Sequence, residues 1–341
     1  MYSLEEILTL YDIGTVTGVT PLEGGIINKT WKVKASTGIF VLQKVSAIFA
    51  PSVMNDTEAV LNYLRAKGQN VMSIVKTKSN DFLVNDTNGF WRMFTFIEGK
   101  VFSEIVTPKV AYEAGKLLGT YHLLLSDFVY DFKHIRGIKH NIPALFKAYK
   151  KAVEHNTNPE IEVMLPIINQ MIELDLPSHL RKTVNHGDPK ISNYIFESKD
   201  NPQAVAMIDF DDCGKNYNVL HELGGAFRSW AWRTDKGENC FDIEQFTAAL
   251  KGYYAGSKGF LTDEEWGLIP QVIKLNLLEL SSRFVRDYFE DSYFEWDPLL
   301  YSSRKEHNLK RAKDHLALYK DICMKEKGII DSIKLLLGSN N

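Results

Sequence analysis

Val184-Asn-His-Gly-Asp-Pro-Lys-Ile-Ser-Asn-Tyr-Ile-Phe196 is followed closely by Val205-Ala-Met-Ile-Asp-Phe-Asp-Asp212. The first segment sets the carboxylate of Asp188 two residues after His186 and five before the carboxamide of Asn193. In the second, an apolar run ends in Asp209, and strand alternation predicts Asp211 on the same face. One carboxylate beside a hydroxyl-bearing molecule can orient that hydroxyl and take its proton. A second carboxylate with an amide oxygen suits a hard cation on nucleotide phosphates, which makes Mg2+ and ATP the expected partners. Zinc is a poor fit, because Cys213, Cys240 and Cys323 are widely spaced and form neither a CxxC nor a Cys/His cluster. A polar loop whose Asp and Asn only close turns is the plain alternative. The close succession of the two segments argues against it.

The rest of the chain suits a cleft enzyme. At 341 residues, 45% hydrophobic and 24% charged, it has material for two lobes. Its 40 Lys and Arg against 43 Asp and Glu leave a net charge of -3, which excludes a nucleic-acid coat but not a local anion site. Met1-Tyr-Ser-Leu-Glu-Glu has no basic leader and no apolar run approaches a membrane span, so a cytoplasmic protein without membrane contact is expected. Up to Phe96 the pattern is short apolar runs between turns. It predicts one hairpin from Ile26–Val33 and Gly38–Val45, another from 81–84 and 90–97 around a turn at 85–89, and a helix over 54–67 between them. Beyond Gly99 the period is helical over 108–127, 142–155, 159–175, 219–233, 242–256, 262–290 and 305–336. The expected fold is α+β and bilobal, with a small mixed β lobe over 1–98 and a larger helical lobe over 99–341.

HGDxxxxN followed by IDFxD resembles the aminoglycoside phosphotransferase and choline kinase-like family, whose fold is protein kinase-like. Leu22-Glu-Gly-Gly-Ile-Ile-Asn-Lys-Thr-Trp-Lys-Val33 is similar to that family's nucleotide-covering hairpin, with Gly24, Gly25 and Asn28 at its turn. Phe94-Thr-Phe-Ile-Glu-Gly99 is similar to its adenine hinge, which assigns Phe96, Ile97 and Glu98 to the nucleotide, and 115–122 to its first long helix. The N-acetylhexosamine 1-kinase branch is similar at Val41-Leu-Gln43, Ile48-Phe49, Trp91-Arg92 and Phe96-Ile-Glu98. It is similar again at Arg283-Phe284, Asp287-Tyr288, Tyr293-Phe294, Glu306-His-Asn-Leu309 and Arg311. The resemblance implies that Asp188 is the base on a sugar's anomeric hydroxyl and that Arg283 and Tyr293 line the sugar pocket. It also implies that Asn193 and Asp209 hold Mg2+, that Asp211 is a carboxylate either behind the metal ligands or on a second metal, and that His186 supports the loop.

The chain departs from that branch at Ile26, where the sugar kinases carry a His, and at Gly187, where they tend to carry Asn. Many wider relatives have a cation where Gln43 stands; the branch shares Gln. Glu58, on the β-lobe helix, is either the partner of a phosphate-binding cation or part of a solvated face. Lys190 is either a γ-phosphate contact or a solvated loop residue. His122, Trp230 and Trp232 read as core. The acceptor is a small molecule, with a hexosamine-like sugar favoured over an amino alcohol, a homoserine-like compound or an aminoglycoside. A catalytically silent nucleotide-binding regulator is the reading from another class. A monomer or homodimer is expected.

Overall fold

Alternation along 29–46 drives the first hairpin. Val33, Phe40 and Leu42 turn to one face of a sheet and Val45 to the other. In the computed structural model, which describes residues 2–22, 28–47, 49–134, 139–156, 158–235 and 237–338, these become β2 (Lys29–Ala35) and β3 (Gly38–Ser46). β1 (Val16–Leu22), which the sequence reading did not single out, pairs with β2, and β4 (Ile74–Val75), β5 (Val84–Asp86) and β6 (Gly89–Thr95) complete the sheet. The order is β1-β2-β3-β6-β4 with β5 also on β6, all antiparallel. The turn expected at 85–89 is shorter, because Asn85 and Asp86 pair with Phe90 and Gly89. The Asp86 carboxylate holds that corner by accepting from Thr87 N–H and Trp91 Nε1–H.

One face of the sheet packs on α1 (Leu4–Thr9) through Ile7, Leu8, Val33, Leu42, Trp91 and Met93. The other packs on α2 (Val53–Ala66) through Val45, Val60, Leu64, Phe90 and Phe94, and this core runs without a break into the helical lobe. Gly99 joins the two. A Cβ there would lie 2.4 Å from the Phe196 carbonyl oxygen, so only glycine lets Lys100 bridge to Phe196.

The helical lobe contains α3 (Pro108–Leu124), α4 (Ile142–Glu154), α5 (Pro159–Glu162), α6 (Leu165–Ile168), α7 (Val219–Trp230), α8 (Ile243–Ser257), α9 (Asp263–Gly267), α10 (Ile269–Glu290) and α11 (Arg304–Gly338). Two expected helices are broken. Residues 159–175 become α5, α6 and a 3-10 turn, and 262–290 splits at Leu268. Pro166 and Pro270 lack the N–H that a continuous helix needs, so each break restarts with proline in the first turn. The third, 219–233, stops at Trp230 and turns into a hairpin of β9 (Trp232–Asp235) and β10 (Glu238–Phe241). α3 and α8 pack backbone to backbone, with no room for a Cβ at Gly115 and Gly119 of α3 or at Gly252 and Gly256 of α8. No helix of the described residues is long and apolar enough to cross a membrane.

Candidate active site

The site is built on a short hairpin, β7 (Tyr194–Phe196) with β8 (Ala204–Met207). Tyr194 pairs with Met207, and Ile208 N–H donates to the Asn193 carbonyl at 2.9 Å. Asn193 and Asp209 therefore leave the hairpin side by side. The chain then reverses. Asp209 is left-handed (φ 69°, ψ 60°) and opens a 3-10 turn over Phe210–Asp212, so the strand alternation expected to align Asp211 with Asp209 ends at Met207. Asp211 turns to the β lobe instead, where the Arg92 guanidinium donates to both its oxygens at 2.5 and 2.8 Å. Both oxygens of the carboxylate expected near the metal are thus engaged by the guanidinium, which ties Asp211 to the β lobe.

Several buried contacts shape the loop ahead of the hairpin. His186 Nε2 donates to the Ile208 carbonyl at 3.0 Å, and its Nδ1 accepts from Asp188 N–H at 3.3 Å. Burial holds the ring below its ordinary pKa, so it is neutral and serves as a brace. Glu222 of α7 accepts from His186 N–H (3.1 Å), Gly187 N–H (2.6 Å) and His122 Nε2 (2.7 Å). Burial pushes its carboxyl up, but these donors and the nearby imidazoles outweigh it and keep the group ionised. His122 completes the chain to Tyr253 OH at 3.0 Å, and Trp230 Nε1 donates to the Pro189 carbonyl at 3.0 Å. Gly187 (φ 89°) has no room for a side chain: a Cβ would lie 2.3 Å from the Asp212 carbonyl oxygen. Lys139, which the sequence reading passed over, donates to the Gly187 carbonyl and lies 3.4 Å from Asp212.

The Asp188 side chain is 38% exposed, so a molecule can reach it. Lys190 Nζ sits 2.9 Å from its Oδ2. Burial disfavours that ammonium, but Asp188, Asp209 and Asp212 together keep it above its ordinary pKa. The Asn193 amide nitrogen donates to Asp188, at 2.9 Å to the carbonyl and 3.3 Å to Oδ2, which leaves Oδ1 as the end that can face a cation. The Asp209 carboxyl is pushed up to about 7, first by burial and then by the charge of Asp211.

In the β lobe, Gln43 accepts from Arg92 Nε at 2.9 Å. Lys44 points to the opposite face and pairs with Asp86 at 3.0 Å. Asn28 caps the end of β3 by accepting from Ser46 N–H. Glu58 is half-buried on α2, and Arg92 pairs with Asp211 rather than with it. At the hinge, Phe96 N–H donates to the Ile39 carbonyl under the ammonium of Lys32, Ile97 packs on the core and Glu98 is exposed. Gly24 and Gly25, with Ile26, lie outside the described residues.

A second set lines the helical side. Asp291 is left-handed and ends α10, and Asp287 accepts from the N–H groups of Ser292, Tyr293 and Phe294. The chain is folded back so that Arg283 lies 5.7 Å from the Tyr293 ring centre and 5.4 Å from that of Phe294. One turn earlier, Glu279 accepts from His140 Nδ1 at 2.7 Å, and His140 stacks on His221. His140, His221 and Glu279 have metal-ligand chemistry, with ligand atoms within 4.8 Å of one another. The direct His140–Glu279 bond and the charge of Arg283 beside Glu279 suit an anchor for the 139–140 turn rather than a metal site. Arg228 of α7, also missed in the sequence, bonds Asn276 at 2.8 Å and feels the charges of both Asp188 and Glu279, linking this set to the catalytic loop.

The sequence pattern of the phosphotransferase enzyme family (APH) matches residues 18–260. Among solved structures, a microcompartment-associated aminopropanol kinase superposes with a TM-score of 0.70 at 16% identity, over 95% of this chain and 98% of its own. An amicoumacin kinase in complex with AMP-PNP and Ca2+ gives 0.65 at 15%, over 95% and 94%. An aminoglycoside phosphotransferase from Alicyclobacillus acidocaldarius gives 0.64 at 14%, over 96% and 97%.

Proposed function

This chain belongs to the phosphotransferase enzyme family and is a small-molecule kinase, and from that premise we propose that it moves the γ-phosphoryl group of ATP to a hydroxyl of a hexosamine-like sugar. The observation that carries the phosphoryl-transfer reading is the hairpin end, where Asn193 and Asp209 stand side by side with Asp188 hydrogen-bonded to Asn193. Asp188 orients the acceptor hydroxyl and takes its proton as the oxygen attacks phosphorus. Lys190, paired with the same carboxylate at 2.9 Å, stands where transferred phosphate charge would accumulate. The oxygens of Asn193 and Asp209 fit Mg2+: both are hard donors, and a carboxyl raised to about 7 among other acids gains from a divalent neighbour. Bound there, the ion would neutralise phosphate charge. Gln43, Asn28 and the hinge at Phe96, Ile97 and Glu98 lie on the β-lobe side assigned to the nucleotide.

Arg283 with Tyr293, and Arg228 with Asn276, offer the mixed donors and acceptors that a neutral, polyhydroxylated acceptor needs. A second reading, an amino-alcohol acceptor, is favoured by Glu279. Its Oε1 is buried without a hydrogen-bond partner among the described residues, and the aminopropanol kinase shares the fold over nearly the whole chain. ADP release measured with MgATP across N-acetylhexosamines and amino alcohols tests both. Turnover on a hexosamine supports the first; turnover on amino alcohols alone replaces it with the second.

A further inference from the structure

Kinases of this architecture commonly couple the β lobe to the phosphates through a lysine on the third strand and a glutamate on the lobe's helix. Here that strand position is Gln43, which carries no charge. Its antiparallel neighbour in register is Arg92 of β6. Arg92 lies on the face of β6 shared by Phe90 and Phe94, which packs on α2 and the helical lobe. Gln43 donates to Thr30 Oγ1 at 3.3 Å, which aims its amide oxygen at Arg92 Nε. Nη1 also reaches the Met54 sulfur of α2 at 3.6 Å. The remaining fork closes on Asp211, two residues past Asp209, and the two side chains are 1% and 4% exposed.

Burying a guanidinium and a carboxylate costs several kcal/mol per ion before pairing repays it, so an apolar pair of similar volume would pack this spot as well. The forked pair differs from apolar packing by fixing one orientation between partners. The partners here are the β lobe and the turn that presents Asp209. Four of the five guanidinium N–H groups are engaged by Gln43, Met54 and Asp211, so the side chain is committed to protein rather than open to a ligand.

We propose that Arg92 is a positioning residue for phosphoryl transfer: by gripping Asp211 from the β lobe it fixes the turn that presents Asp209, and it takes over from the neighbouring strand the coupling that Gln43 cannot provide. Asp211 is its anchor and not a metal ligand. The inference rests on the kinase reading above, and its test separates the two.

Calorimetry of ATP with and without Mg2+ on the full chain, alongside thermal unfolding, compares wild type, Arg92→Met, Asp211→Asn and the double variant. Each single variant leaves a buried charge unpaired and should melt lower; the double variant removes both charges and should recover most of the loss. Despite that recovery, the Mg2+-dependent gain in ATP affinity should stay at least tenfold weaker, with no further loss when Asp211→Asn is added to Arg92→Met. Arg92→Lys, which keeps charge but not the fork, should fall between. A double variant with wild-type Mg2+ dependence would reduce the pair to packing. Losses that multiply, with Asp211→Asn the larger, would make Asp211 a ligand after all. Wild-type protein with no Mg2+-dependent ATP binding would defeat the kinase reading itself.

Discussion

Glu222→Gln probes how far the catalytic loop relies on the carboxylate behind it. Oε2 of Glu222 serves His122 and His186 N–H, while Oε1 serves Gly187 N–H alone. A glutamine would keep its one oxygen where two donors converge and present its NH2 group to the Gly187 N–H. One charge-assisted bond is then lost and two become neutral. With bonds to charged groups contributing about 1.5–3 kcal/mol and neutral ones nearer 1, the loss comes to roughly 2.5–7 kcal/mol. For 341 residues the unfolding entropy is about 0.7 kcal/mol/K, so Tm should fall by about 3–10 °C. Gly187 immediately precedes Asp188, and freeing its N–H should let the base drift; a displacement near 1 Å costs on the order of 100-fold in rate. Differential scanning calorimetry and kcat/KM for the best acceptor read the two effects. A Tm within about 1 °C of wild type together with kcat/KM within about twofold would refute the brace.

Asp209→Ala should abolish the Mg2+-dependent part of ATP binding in calorimetry and leave the Mg2+-free affinity nearly unchanged. Because Asp209 titrates near 7 through burial and the charge of Asp211, its protonated form dominates in acid and cannot ligate; Mg2+-dependent ATP affinity should rise from about pH 6 to about pH 8. Arg283→Ala should raise the acceptor KM at least about tenfold while the ATP KM changes less than about threefold; a joint rise would assign Arg283 to structure. Burial depresses His221 and His315 to about 3, so both are neutral in the fold and take up protons only on unfolding. Their contribution is complete above the unfolded value near 6.5 and is lost as pH falls, at about 1.4 kcal/mol per pH unit each. His221→Phe, measured by urea unfolding between about pH 6.5 and 4.5, should flatten that slope by about one proton.

The fold was legible because its strongest signals are local. Alternation marked β2 and β3, and the 3.6 period marked α2, α3, α4 and α8 to within a few residues. β1 escaped because Val16-Thr-Gly-Val-Thr-Pro-Leu22 has only partly buried or exposed positions, so its pairing with β2, rather than a buried stripe, makes it a strand. Pro166 and Pro270 were the readable cause of the two helix breaks. In the site, the HGDxxxxN spacing brought Asp188, Asn193 and His186 together as expected, since all lie in one loop. The alignment of Asp211 with Asp209 was misread because a left-handed residue at Asp209 reverses the chain, and that follows from tertiary packing of the turn, not from the run of residues. Arg92 and Arg228 act across lobes or helices, so no local pattern carries them. The nearest signal was a charged residue interrupting Phe90-Trp-Arg-Met-Phe94, where every neighbour is buried.

Turnover by Asp188→Asn bears most directly on the account. With MgATP and the acceptor that wild type uses best, ADP release should fall by several orders of magnitude while calorimetric MgATP affinity stays within about threefold, as expected of a base that acts on the acceptor and not the nucleotide. If the variant kept more than about a tenth of wild-type kcat, Asp188 would not be the base, and the arrangement of Asn193, Asp209 and Glu222 around it would need another explanation.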